Sequence, residues 1–418
     1  MNKSLLYIAY HFPPIQVSSG VHRTLAFSRY LADHNWDVTV LTVDAKAYQQ
    51  VNAAQQDFIP DSIKLIRAYA RDTARHFTVK GRYLGWMALP DRWQSWIIGG
   101  VLSGLKHIRT HRPSVILSTY PIASAHIIGY LLHKITGIPW VADLRDPMLQ
   151  DNYPAAPLQR KIFAWLEQKI VKHCQQVLLT SPGAVELYRR RYPHTAADFW
   201  QLLPNGYDST MFDHLPSSLQ QVKVPTPDKP LVMLHSGTIY PSERDPAALF
   251  QAISELKQQD AQLSQKFHLL LRATGHDDLF APQLKKWQID DIVQLAPSVG
   301  YLAALTEMFE VDALLLLQAA NCNYQTPAKA YEYLRARRPI LALTPAQSDT
   351  AALVQQSGVA TIAPLDNVAQ IKTALLQLIA SANSQQLHYL SDTELQQHSR
   401  QYQAAKLETL LGKIAEKR

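Results

Sequence analysis

Cysteine is nearly absent. The chain has two in 418 residues, Cys174 and Cys322, far apart. That excludes a disulfide framework and any Cys-rich zinc site, and it suits a reducing compartment. No run of about 18 apolar residues occurs, so no segment is predicted to span a bilayer. The opening residues lead directly into strand-like Leu5–Tyr10, then His11 and two prolines, which is not a secretory signal pattern. Gly-x-Gly-x-x-Gly is missing, which removes the dinucleotide fingerprint. Asp-x-Asp and Cys-x-x-Cys are missing too, and neither a metal nor a resident cofactor is expected. Carboxylates are fewer than cations, 34 against 41, for a net charge of +7 and a pI of about 9.1. The excess suits an anionic partner (nucleotide, nucleic acid or the inner membrane face) or ordinary solubility. A nucleic-acid partner is not expected, because the cations are not grouped with any such motif.

What is present reads as two α/β halves. Apolar strands are predicted at Leu5–Tyr10, Val38–Val43, Val115–Thr119, Pro139–Ala142 and Val177–Thr180. Amphipathic stretches separate them, among them Val21–Asp33 and Ile122–Thr136, the latter closed by Gly137. A polar, proline-rich stretch from Leu215 to Pro230 reads as a linker. The alternation then restarts, with strands at Leu231–Ser236, Phe267–Arg272, Ile292–Leu295, Asp312–Leu317, Pro339–Leu343 and Val359–Ile362. A polar helical tail runs from Ser391 to Arg418. The expected architecture is two Rossmann-like, doubly wound parallel-sheet domains, residues 1–210 and 225–390, facing a cleft, with a tail over 391–418. Ligands in such folds sit at the carboxyl ends of strands.

The segment Thr326-Pro327-Ala328-Lys329-Ala330-Tyr331-Glu332 carries the strongest chemistry. Thr326 is a predicted N-cap and Pro327 a predicted first helical residue. Lys329 opposes the helix dipole there, unless an anion binds at the helix start. Glu332, three residues on, shares its face and could accept hydrogen bonds from ribose hydroxyls. The alternative is a surface ion pair worth little. Gly237 and Gly20 follow strand-and-loop stretches where backbone could approach a phosphate, although a plain turn explains Gly20 as well. Asp143 and Asp146 follow the strand Pro139–Ala142 and could position or deprotonate a hydroxyl, or pair locally with Arg145. His11, His22 and His126 flank the same region as candidate acceptor ligands, with His126 also readable as a packed helical residue. Trp86, with Lys80 and Arg82 nearby, suits an interfacial loop on an anionic membrane, whereas Trp96 reads as core.

These pieces together resemble the glycosyltransferase family 4 pattern. The likeness rests on Pro327-x-Lys329-x-x-Glu332-Tyr333-Leu334. It extends to Tyr10-His11-Phe12-Pro13-Pro14, Ser19-Gly20-Val21-His22-Arg23, Val141-Ala142-Asp143-Leu144-Arg145-Asp146-Pro147, Leu203-Pro204-Asn205-Gly206 and His235-Ser236-Gly237-Thr238. The resemblance implies the GT-B fold and transfer of a sugar from a nucleotide-sugar donor to a glycan or lipid-linked acceptor, with retention and without metal. It also implies that the domain over 1–210 holds the acceptor, that the domain over 225–390 holds the nucleotide sugar, and that the tail over 391–418 packs back on the first domain. Synthesis of a bacterial surface polysaccharide or lipid-linked glycan is the family-level expectation, while a cytoplasmic place follows from the scarce cysteines and missing signal pattern, and peripheral contact with the inner membrane face from the Trp86 loop. The donor would be held by Gly20, Gly237, Thr238, Arg244, Thr326, Lys329 and Glu332, with Lys329 and Arg244 meeting the leaving diphosphate. Two departures stand out. Tyr324 occupies the place where many members carry a second glutamate, and Thr238-Ile239-Tyr240-Pro241-Ser242-Glu243-Arg244 follows Gly237 where many members place an Arg and a Lys, so that Arg244 is the one nearby cation, or else a partner for Glu243 or Asp245. Two rivals share the fold, a nucleotide-sugar epimerase and a degenerate partner protein.

Overall fold

The computed structural model describes residues 3–15, 19–151, 153–220, 229–382 and 389–417. Ser18 and residues 221–228 of the expected linker therefore lie outside the described residues. The chain divides into two compact units, Met1–Asn205 with Arg400–Arg418, and Gly206–Ser399. Residues 391–399, expected with the tail, thus belong to the second unit.

The first unit is built on seven parallel strands: β1 (Ser4–Ile8), β2 (Asp37–Val43), β3 (Lys64–Ala68), β4 (Val115–Thr119), β5 (Trp140–Arg145), β6 (Gln176–Leu179) and β7 (Trp200–Leu202). Their order is β3-β2-β1-β4-β5-β6-β7. The central strands SLLYI and VILST are buried at every position, as strands covered by helices on both faces must be. The helices Ser19–Asp33 and Arg400–Glu416 share one core cluster with this sheet, through Leu25, Phe27 and Leu31 on one and Ala404, Leu407 and Leu411 on the other.

The second unit has six parallel strands: β8 (Leu231–Ser236), β9 (Phe267–Arg272), β10 (Val293–Ala296), β11 (Ala313–Leu317), β12 (Ile340–Leu343) and β13 (Ala360–Ala363), in the order β10-β9-β8-β11-β12-β13. In each sheet the chain reverses its direction of winding next to the first strand. The reversal falls between β1 and β4 in one unit and between β8 and β11 in the other. The carboxyl ends at such reversals are where open α/β sheets leave a crevice.

Two strands were not expected from the sequence, β3 and β7. Both are edge strands. β3 carries Lys64 and Arg67 and is only partly buried, and β7 has three residues. Charged and short edges protect a sheet from pairing with other chains, and they erase the apolar signal that marks central strands.

Candidate active site

In the second unit, β8 ends at Ser236 and the chain turns through Gly237 at φ +111°. That backbone is strained for any residue with a Cβ. A Cβ there would also lie 3.2 Å from Lys329 Nζ. The ammonium therefore sits directly over the Gly237 backbone. His235, fully buried on β8, holds it there. The Leu315 carbonyl can only accept, so His235 Nδ1–H donates to it at 3.0 Å. The Nε2 lone pair is left to accept from Lys329 Nζ at 3.2 Å. Burial, and then the Arg244 charge, push the Lys329 ammonium down to about 7. Burial and the neighbouring Lys329 hold the His235 imidazole well below its ordinary range. An anion placed beside such a pair would favour the charged form of the lysine.

The helix bearing Lys329 spans Ala328–Ala336. Its N-cap is Pro327, with no side-chain cap bond, so Thr326 is not the cap and Pro327 not the first helical residue, as the sequence suggested. Its first-turn N–H groups thus point from an end that no side chain closes. Glu332 is buried and accepts from Tyr301 Oη at 2.7 Å through Oε1. Arg244 donates to the Thr238 carbonyl at 2.9 Å and lies over the Tyr240 ring. It ties the loop after Gly237 to itself, and neither Glu243 nor Asp245 pairs with it among the described residues. Thr326 is buried, and Tyr324 is exposed on a loop that Gln318 pins by donating to the Cys322 and Gln325 carbonyls at 2.6 and 2.7 Å.

In the first unit, Asp143 is fully buried. Arg23 grips it through two bonds, Nε–Oδ2 at 3.1 Å and Nη2–Oδ1 at 3.2 Å, and Thr119 Oγ1 donates to Oδ2 at 3.0 Å. Arg23 also donates to the Leu203 and Pro204 carbonyls. Asp143 thus fastens the helix Ser19–Asp33 to the sheet, and its partner is Arg23 rather than Arg145. Arg145 follows a β-bulge at φ +62° and donates to the Tyr120 carbonyl at 2.9 Å. Positive φ at a non-glycine residue is costly and clusters at functional turns. Asp146, next in the chain, accepts from Thr180 at 3.3 Å, and burial raises its carboxyl above the usual range. The His11 imidazole is pushed down to about 3 by burial and then by the Arg145 charge. His22 is half-buried on the helix Ser19–Asp33, whose first turn contains Gly20. His126 is wholly buried, with Nδ1 2.7 Å from Ser118 Oγ and its ring stacked on Tyr120, so it packs inside the first core.

The family model of the glycosyl transferase 4-like domain matches residues 20–206. Solved structures align over nearly the whole length. Sucrose-phosphate synthase from Thermosynechococcus elongatus is 13% identical with a TM-score of 0.71, covering 100% of both chains. Anabaena HepE, solved with UDP and glucose, is 12% identical with a TM-score of 0.64, covering 99% of this chain and all of its own. A trehalose-phosphate synthase from Burkholderia xenovorans, in complex with glucose-6-phosphate, is 13% identical at a TM-score of 0.63, covering 98% of this chain and all of its own. No curated protein matches by sequence. The chain thus has the GT-B fold, and its residues 20–206 match the glycosyl transferase 4-like domain.

Four residues of this GT-B protein escaped the sequence reading: His235, Tyr301, Gln318 and Arg23. Three act through partners distant in the chain, 94 residues away for His235, 120 for Arg23 and 31 for Tyr301, whereas Gln318 pins carbonyls only four and seven residues on. Only the polar character of His235 within the apolar run of β8 hinted at a task. A histidine pair was also overlooked: His107 and His111, four apart, stack with ring centroids 5.1 Å apart. No third His, Cys, Asp or Glu joins them to form a metal-holding group among the described residues.

Proposed function

We propose that this GT-B glycosyltransferase moves a sugar from a nucleotide sugar to a glycan or lipid-linked acceptor, with retention and without a metal ion. The observation that carries the reading is Lys329. Its half-buried side chain is aimed by His235 and laid over a bare glycine turn at the carboxyl end of β8. That is a seat for a diphosphate oxygen. In this reading Lys329 and Arg244 stabilise the departing diphosphate, and the backbone at Gly237 and Thr238 approaches it. Glu332 accepts from ribose hydroxyls, and Thr326 contacts the donor at the start of the same segment. HepE, which shares the fold, was solved with UDP and glucose, and that supports the donor class.

The first unit would hold the acceptor, with Gly20 at the opening of its first helix. Asp146, whose burial makes it the better base, would orient or deprotonate the acceptor hydroxyl. Asp143 would shape the turn through Arg23. His11 and His22 would contact the acceptor, while His126 would support their surroundings from the core. No helix among the described residues is long and apolar enough to cross a membrane. Work at the cytoplasmic side, in peripheral contact with the inner membrane face and in service of polysaccharide or lipid-linked glycan synthesis, fits this reading.

Tyr324 favours a second reading, a GT-B partner that binds the donor without turnover, because it stands where a second glutamate is usual. A thermal-shift screen against nucleotide sugars, followed by product analysis with added acceptors, separates the two. A donor at about 100 times its Kd adds roughly 2.7 kcal/mol of stability. Binding with transfer supports the first reading, and binding without transfer the second. Glu332→Gln should weaken donor binding in calorimetry while the fold persists. Unchanged affinity removes Glu332 from the site.

A further inference from the structure

The net charge is not spread over the chain. Residues 73–142 contain eight Lys and Arg and a single carboxylate, Asp91, for a net +7 that equals the charge of the whole protein. The other residues balance, 33 cations against 33 carboxylates. Asp91 is half-buried and engaged: it accepts from Ser124 N–H and Oγ at 2.8 and 3.0 Å, closing the start of the helix Ala123–Thr136. Arg92 is paired with Asp72 at 2.9 Å, and Arg75 donates to the Tyr48 carbonyl. Lys80, Arg82, Lys106 and Arg109 are exposed and have no ion pair among the described residues.

The same segment exposes large apolar side chains. Val79 and Arg82 close a tight hairpin through N–H to carbonyl bonds of 2.9 and 3.1 Å, with Lys80 and Gly81 at positive φ. Every residue from Val79 to Trp86 is exposed, with Leu84 at 61% and Trp86 at 64%. The Gln94 side chain holds this loop by donating to the Met87 carbonyl. Gln94 caps the helix Ser95–Thr110. Ile98, Leu102 and Lys106 follow it at i+4 spacing, and Arg109 three residues later, so they share one helix face. That face is turned outward, with Ile98 at 70% and Leu102 at 64% exposed. The opposite face uses Gly99 against the Tyr69 backbone and Gly104 against Leu132. An apolar stripe therefore continues from the Trp86 loop along the helix and ends in cations.

We infer that this stripe is the membrane-docking face of the protein: Leu84, Trp86, Ile98 and Leu102 enter the headgroup boundary of an anionic bilayer, and Lys80, Arg82, Lys106 and Arg109 meet its phosphates. Charge complementarity selects the occupant. An acidic protein would satisfy the cations but not a stripe of exposed aliphatic side chains and a tryptophan, and a nucleic acid would leave Ile98 and Leu102 in water. The inference deepens the membrane part of the proposed function and does not depend on the donor site.

The test is co-sedimentation of the full chain with phosphatidylglycerol-containing vesicles against pure phosphatidylcholine vesicles. Wild type should sediment with the anionic vesicles only, and 1 M salt should weaken that binding. Lys80→Ala/Arg82→Ala/Lys106→Ala should lower partitioning by about fivefold per charge, on the order of a hundredfold together. Trp86→Ala/Ile98→Ser should lower it at low salt, where charge alone would suffice for a purely electrostatic contact. Lys285→Ala/Lys286→Ala, on the second unit, should leave it unchanged. Equal sedimentation of wild type and the stripe variants overturns the inference, as does tighter binding to an RNA or an acidic peptide than to vesicles. Each variant is also titrated with nucleotide. An unchanged Tm and circular dichroism spectrum show that it is folded, and the nucleotide-induced thermal shift reports on the donor reading alone.

Discussion

At the scale of single residues, Lys329 ties structure to a measurable proton. Its ammonium is held down to about 7, by burial first and by Arg244 second. In an unfolded chain a lysine titrates near 10.4. Between those values the unfolded chain binds more protons, so the second unit gains stability as pH rises through the window. Below about 7 the full cost of the buried charge is present. A bound diphosphate reverses the balance by favouring the ammonium. Nucleotide binding at pH 8 should therefore take up close to one proton, and at pH 6 almost none. Calorimetry in buffers of different ionisation enthalpy reads this directly. Lys329→Met should abolish the uptake and flatten the pH dependence of stability, and uptake that persists in this variant would assign the proton elsewhere. Lys329→Ala should cut turnover by about a hundred- to a thousandfold, more than it raises the donor KM, if the charge acts on the leaving group. Near-normal turnover in a folded variant would leave Lys329 as a surface cation.

Among the elements, the helix Ser19–Asp33 shows what the sequence revealed and what it hid. Its apolar spacing was legible, as were the central strands, because buried parallel strands read as continuous aliphatic runs. The start of the Lys329 helix was legible as a place, although its cap was misassigned. Pro327 has φ −58° and ψ 133°, so it ends the extended stretch instead of opening the helix. The ionic anchor was hidden. Arg23 and Asp143 each sit in a stretch whose local reading suggested ligand binding, and only the fold brings them together. Arg23→Ala leaves Asp143 buried without its cation, and this should cost about 3–5 kcal/mol in a denaturant titration. Arg23→Lys should recover only part of that, since a lysine cannot make the two-pronged contact. A loss below about 1 kcal/mol would show that Asp143 is not held by this pair.

For the molecule as a whole, the unit boundary follows from which core each helix completes. The helix Arg400–Glu416 is the last in the chain, yet it closes the first core. Leu407 and Leu411 are fully buried in the cluster that contains Leu5, Tyr7 and Leu117. Lys3 pairs with Glu408 at 3.1 Å on the rim of that contact. The pair is exposed and contributes little, so the aliphatic burial carries the helix. Only a narrow stripe of that helix is apolar, so its own pattern reads as a polar tail, and the expectation that it packs on the first domain came from the family resemblance. Leu407→Ala should destabilise the first unit by about 2–5 kcal/mol through the cavity it leaves. A nucleotide bound at Lys329 acts on the second unit. Scanning calorimetry should therefore show the substitution lowering one transition and the nucleotide raising the other. If Leu407→Ala and the nucleotide shift the same transition, the two cores do not melt as separate units and the assignment of this helix to the first of them has to be abandoned.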